Sequence, residues 1–325
     1  MNQITVSFPG LGIDNFSFSN VAFTIGDTFT VMWYGVVIAL GMLMAIAYAS
    51  FRCKQMGIKV DDLIDIAIFT IFFGVIGARL YYVILEPESF NSLLSIINLR
   101  TGGLAIYGGI IVGAATIIVV CLIKKISWRK LWDAAGPGVM LAQAMGRWGN
   151  FFNGEAFGEQ VAETHPLYFM RMGLKSTNSI ITFGTNEMVY VHPAYLYESI
   201  WNIVGFILIN IFYKKKKFDG EVALWYLGWY GFGRMFIEGL RTDSLMAGET
   251  GIRFSQMLSF LIFPLAIALV IYGRIVTSKN EKALAMAGEC EVIEREEEIE
   301  KVEEVEEIVE EIVEETVEVS EENDG

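Results

Sequence analysis

Cysteine is scarce in this 325-residue chain: Cys53, Cys121 and Cys290 lie far apart, with no CxxC spacing. That excludes a disulfide framework and a zinc site, and leaves three isolated thiols. The first 30 residues lack a basic start followed by an apolar core, and Asp14, Asn15 and Asp27 interrupt them, so no cleavable signal peptide is expected. Internal repeats, which transporters often carry, are absent. Net charge misleads: of the formal -14, the stretch 289–325 holds 19 acidic and 2 basic residues, which leaves the other 288 residues near +3. The acidic balance therefore says nothing about an acidic or basic partner of the body.

What is present in quantity is apolar surface. Hydrophobic residues make up 54% and aromatics 13% of the chain, which places it in the membrane class. A span needs about 20 mainly apolar residues. Such runs occur at 31–51, 63–85, 102–123, 194–213, 222–240 and 256–276, with a weaker, glycine-rich run containing Pro137 at 131–151. Basic clusters follow the first run (Arg52, Lys54, Lys59), the third (Lys124, Lys125, Arg129, Lys130) and, with the weaker run counted as the fourth, the fifth (Lys214 to Lys217). The positive-inside rule puts all three on the cytoplasmic side, which requires the weaker run to cross. An all-α polytopic membrane protein of about seven helices is expected, N-terminus outside and C-terminus inside.

Three parts follow from this: an outer amphipathic arm over 1–30, marked by Phe8, Phe16, Phe18, Phe23 and Phe29; a membrane body over 31–279; and an acidic cytoplasmic tail over 280–325. The tail repeats Val302, Val305, Val309 and Ile312 at heptad-like spacing, but its charge density favours disorder or transient helix.

Ionisable groups inside membrane segments cost about 2.5–3.5 kcal/mol near the centre, so each raises a functional question. Tyr230, Arg234, Glu238 and Arg241 fall at offsets 0, 4, 8 and 11, which confines them to about an 80° arc of one helix face. An Arg234–Glu238 pair alone would be structural; a second arginine and a phenol on the same stripe point to an anion site. The run GRWGNFFNGE at 146–155, continuing to Gly158, combines Arg147, Asn150, Asn153 and Glu155 with four glycines. Glycines admit close backbone approach, and an arginine fork can bind two phosphate oxygens. A third stretch, TGGLAIYGG at 101–109, brackets Tyr107 with paired glycines. Smaller signals are Trp33-Tyr34-Gly35, His192-Pro193, Tyr197-Glu198 and Arg79, whereas His165 has no evident chemical role. His192 reads equally as a helix cap or as a site residue.

These four motifs, GGLAIYGG, GRWGNFFNGE, HPAYLYE at 192–198 and YGFGRMFIEGLR at 230–241, stand in an order that resembles the prolipoprotein diacylglyceryl transferase family across most of residues 30–276. The resemblance implies transfer of the diacylglyceryl group of phosphatidylglycerol to the lipobox cysteine of secreted prolipoproteins, with release of glycerol phosphate. It implies a bacterial plasma-membrane enzyme with its site toward the outer face, surrounded by membrane lipids, with no nucleic-acid partner. Arg147 and Arg234 would then stabilise the leaving phosphate. Arg241 and Asn150 would complete the headgroup pocket, Glu155 and Glu238 would hold the arginines or assist proton movement, and Tyr34, Asn153, Gly158, Tyr230 and His192 would line the substrate site. No metal or organic cofactor is expected, and the lack of an Asp/Ser/His nucleophile set agrees with direct transfer. One residue departs from the family pattern: Tyr107 stands where many members have histidine, and a phenol with an unperturbed pKa of about 10 is a poor base. A transporter or channel for an anionic lipid or solute is the competing reading, and a membrane scaffold using the tail a third.

Overall fold

The structure, a computed structural model, describes residues 3–26, 29–90, 92–99, 102–242 and 253–287. Thr101, Cys290 and the acidic tail beyond Ala287 lie outside the described residues. Two compact units are distinguished, Met1–Val270 and Ile271–Gly325. In the second, the described residues belong to the helix that ends at Ala287.

The chain is mostly helical. Its helices are α1 (Trp33–Gln55), α2 (Val60–Leu85), α3 (Leu93–Ile97), α4 (Ile106–Ile123), α5 (Trp128–Asn153), α6 (Thr177–Phe183), α7 (Ala194–Phe212) and α8 (Glu221–Ile237). A last helix, α9, covers Phe254–Ala287. Helices occupy all seven stretches expected to span, but five of them, α1, α2, α4, α7 and α9, are long and apolar enough to cross a membrane. The other two carry the polar groups: α5 holds Gln143, Arg147, Asn150 and Asn153, and α8, 17 residues long, holds Arg234.

The all-α expectation needs correction, because the described residues also form six strands. The segment 3–32 supplies β1 (Gln3–Phe8), β2 (Ile13–Ser19), β3 (Val21–Ile25) and β4 (Phe29–Met32). β1 pairs on one side with β2 and on the other with β5 (Met172–Lys175), which in turn pairs with β6 (Val189–Val191). The reason is period-two burial: Ile4, Val6 and Phe8 point one way from β1 and close over Met172, Leu174, Val189, Val191, Phe157 and Tyr195. This small sheet caps one end of the helices. α7 starts two residues after β6 and α5 ends at Asn153, so both reach the cap.

At the centre, α5 packs on α1, α7 and α8. Glycine permits a close approach between α5 and α1: a Cβ at Gly138 would stand 2.8 Å from the Ala45 carbonyl oxygen. Trp201 of α7 and Trp229 of α8 stack 4.2 Å apart, and each indole N–H donates to the other's backbone carbonyl, at 3.1 and 2.9 Å. At the end away from the sheet, Lys124 donates to Asp62 and Asp65, both at 2.7 Å, and Lys216 to the fully buried Asp133 at 3.0 Å.

Candidate active site

Three helices bring charge to one point near the sheet-capped end. Arg147, nearly two turns before the end of α5, places Nη2 2.6 Å from Glu198 Oε1 in the first turns of α7. Arg234 of α8 places Nη1 3.0 Å from the other oxygen of the same carboxylate and Nη2 2.6 Å from Glu238 Oε2. Glu198 and Glu238 are 3% and 2% exposed. One carboxylate therefore clamps two arginines from different helices, and a second, one turn nearer the cap at the end of α8, holds Arg234. Arg147 keeps more exposure than Arg234, with side-chain values of 21% and 10%. The Nε of Arg234 is buried and makes no hydrogen bond. Two cations balanced by two carboxylates can survive burial, whereas either arginine alone could not.

The α5 motif organises its own end. Arg147 Nη1 lies 3.4 Å from Asn150 Oδ1, and the amides of Asn150 and Asn153 both donate to Glu155 Oε1, at 3.0 and 3.2 Å. Glu155 thus holds the two amides, not an arginine as expected. α5 stops at Gly154, which takes a left-handed φ of +61° and receives the Ser176 hydroxyl on its carbonyl. Tyr34, at the start of α1, lies against Gly149, where a Cβ would come 2.9 Å from its ring.

Tyr107, in the first turn of α4, is brought to the same cluster: its phenol meets Ser255 and lies within electrostatic reach of Tyr230, Arg234 and Glu238. Its ring packs edge-on against Phe254 at 5.1 Å. The Ser255 hydroxyl donates to Glu238 Oε1 at 2.5 Å, a link that nothing in the motifs announces.

The expected four-residue stripe on α8 holds only in part. Tyr230 and Arg234 share the helix face, but the helix tightens into a 3-10 turn over Glu238–Leu240, and Arg241 follows in extended conformation. The periodicity that put Arg241 on the stripe therefore fails at the last step. Its backbone instead bridges to Gly158, and its carbonyl accepts from Arg253 Nη2 at 2.9 Å. Gly158 is needed for this approach, since a Cβ there would stand 2.7 Å from the Leu240 carbonyl and 2.8 Å from His192 Cβ.

His192 belongs to that bridge region and is not in contact with the arginines. It is 4% exposed, its Nδ1 lies 3.2 Å from the Tyr197 hydroxyl, and its ring meets His165 edge-on at 4.7 Å. Burial, reinforced by His165, pushes its pKa below the usual histidine value against the pull of Glu159. Arg79, by contrast, turns all its donors onto backbone. Its guanidinium reaches the carbonyls of Ile96, Gly102, Gly103, Ser95 and Asn98 at 2.5–2.9 Å, below the ring of Phe90.

The family model for prolipoprotein diacylglyceryl transferases matches residues 20–272, a segment that contains every residue of this cluster. The chain belongs to the prolipoprotein diacylglyceryl transferase family. It is 42% identical over 257 residues to the phosphatidylglycerol–prolipoprotein diacylglyceryl transferase of Clostridium kluyveri, an alignment covering 78% of this chain and 95% of that protein. It is 43% identical over 256 residues to the protein of that name from Listeria innocua, covering 78% and 90%. It is 41% identical over 257 residues to that of Staphylococcus aureus strain Newman, covering 78% and 89%. Strands β1 and β2 precede the segment matched by the family, although β1 is the central partner of its sheet.

Glu198 is the residue that sequence reading undervalued. It closes the HPAYLYE motif, yet a single glutamate in the first turns of a helix also satisfies the helix dipole, and nothing local says that two arginines converge on it.

Proposed function

We propose that this chain moves the diacylglyceryl group of phosphatidylglycerol onto the lipobox cysteine of secreted prolipoproteins. The single observation that carries the site assignment is the shared clamp: Arg147 and Arg234, from different helices, both bound to Glu198. In the reaction a thiol loses its proton to water, a C–S bond forms at the glyceryl carbon, and the C–O bond to phosphate breaks. The phosphodiester has one charge, and the departing glycerol phosphate gains a second. Arginine donors aimed at those oxygens bind the leaving group more strongly as charge accumulates, which lowers the barrier. The carboxylates keep both guanidiniums charged and oriented before lipid arrives, and Glu198 yields donors to the phosphate as it enters. Tyr107 donates a hydrogen bond to the leaving oxygen and is not the base. Asn150 and Tyr230 flank the headgroup; the Gly158–Arg241 bridge and His192 support the wall above it.

The orientation follows the charge. Arg52 and Lys54 end α1, Lys124 and Lys125 follow α4, and Lys214 and Lys215 follow α7, all at the helix ends away from the strand cap. The cap and the arginine cluster then face the outside of the plasma membrane, with seven helices crossing, α5 and α8 shielded among more apolar neighbours.

Transfer of labelled glyceride from phosphatidylglycerol to a lipobox peptide tests this reading. Arg147→Ala and Arg234→Ala should each lower kcat about a hundred- to a thousandfold while the purified protein keeps its helical content. Unchanged activity in either variant removes that arginine from the site, and a well-folded wild type with no transfer overturns the function.

A further inference from the structure

The charged clamp has a second, uncharged layer beneath it. On α5 and α8, which run toward the strand cap, the positions one turn deeper than the arginines are Gln143 (four before Arg147) and Tyr230, with Tyr226 one turn further. On α7, which runs away from the cap, the equivalent position is Asn202, four after Glu198. Residues four apart share a helix face, so three helices repeat one pattern: a charged group near the cap, then an amide or phenol about 6 Å deeper.

This layer is joined across helices. The Gln143 amide bonds the Tyr226 hydroxyl at 3.0 Å, linking α5 to α8. Ser199, next to Glu198, donates to the Ala144 carbonyl at 3.1 Å, which sets α7 against α5 at the same depth. Two of its polar atoms have no hydrogen-bond partner: the Asn202 amide nitrogen, a donor on a side chain 2% exposed, and the Gln143 Oε1, an acceptor. Because the Tyr226 hydroxyl accepts from Gln143 Nε2, its own proton is free to go to another acceptor. An orphaned donor at this depth, such as the Asn202 amide, costs about 1–3 kcal/mol, and hydrocarbon supplies nothing to satisfy it.

We infer that Gln143, Asn202 and Tyr226 form a subsite for the ester carbonyls of the lipid donor, one to two helical turns below the phosphate clamp. The inference rests on the lipid-transfer reading and adds what that reading does not contain, a means of recognising the acyl linkage. The layer holds no cation, so a second phosphate does not suit it, whereas an uncharged carbonyl acceptor does. In a glycerophospholipid the ester groups lie a few bonds from the phosphate on the hydrocarbon side, which matches that offset. Holding the esters while the arginines hold the phosphate fixes the glyceryl carbon between two anchored groups, where a thiolate can reach it.

The test compares two donors of equal chain length, diacyl phosphatidylglycerol and its dialkyl ether analogue, which keeps the phosphate and loses the carbonyls. Wild-type protein should use the diacyl lipid about fivefold better in kcat/KM, the worth of one neutral hydrogen bond. Gln143→Met and Asn202→Val should close that gap by lowering the diacyl rate. Equal rates on both lipids in the wild type, or equal losses on both lipids in the variants, overturn the subsite. Should neither lipid act as a donor, the transfer reading fails by itself, and thermal stabilisation of the full chain by each lipid still decides: a larger shift with the diacyl form supports the subsite and equal shifts sink it.

Discussion

Arg79 and the Arg147–Arg234 pair are all charged groups within the helical body, yet they are satisfied in opposite ways. Arg79 gives its donors to five backbone carbonyls between Ser95 and Gly103, with no carboxylate among its hydrogen-bond partners. It has nothing left to offer a ligand; it fastens the chain between α2 and α4. Arg147 and Arg234 are held by carboxylates, which bind guanidinium in the same forked geometry that a phosphate does. A carboxylate can be exchanged for a phosphate, and a set of backbone carbonyls cannot. Burial of an arginine is therefore not enough to mark a site: the kind of acceptor that holds it separates a fastener from a receptor.

The comparison is broken most sharply at Glu198. Glu198→Ala leaves two buried guanidiniums with one carboxylate between them and should destabilise the protein by about 3–5 kcal/mol, measured by denaturation in micelles. Stability equal to wild type would mean that the arginines are held by something else. Next comes Arg79→Lys, which keeps the charge but replaces a planar five-donor fork with three donors. It should cost about 2–3 kcal/mol and reduce transfer only in proportion to the folded fraction; loss of transfer at full stability would make Arg79 a receptor after all. The smallest effect concerns His192, whose pKa is lowered by burial and by His165. Below the unperturbed value of about 6.5 the unfolded chain binds a proton that the native histidine resists. Stability should therefore be level above pH 7 and fall, by about 1 kcal/mol or less, as pH drops toward 5. His192→Asn should flatten that slope in a thermal melt.

The contrast between the two kinds of arginine also marks what the sequence makes legible. Arg147, Arg234, Tyr107 and Glu238 stand out locally because polar groups at helical spacing within apolar runs are costly and countable. That Glu198 joins the two arginines depends on α7 lying against both α5 and α8, which no local pattern encodes. The long helices were readable from hydrophobic runs to within a few residues at most ends; α9 continues to Ala287, well past its apolar run, and Gly102 and Gly103 take φ of +79° and delay α4 to Ile106. The strands were not readable, since β1 alternates like an amphipathic surface segment and its partner β5 is a four-residue stretch far along the chain. The end of the helix before Arg241 was not readable either, because a period of 3.6 carries no warning of a tightening final turn.

The pairing of β1 with β5, Thr5 opposite Lys175, sets an order of assembly. The first strand emerges before any helix of the body, but the strand it must join is made only after α5 is complete. Until then that edge of β1 has to wait unpaired, so the opening segment of the chain cannot complete its part of the cap before β5 exists. Contacts this distant in sequence form slowly, and maturation of the cap is paced by synthesis of the polypeptide rather than by collapse of its beginning.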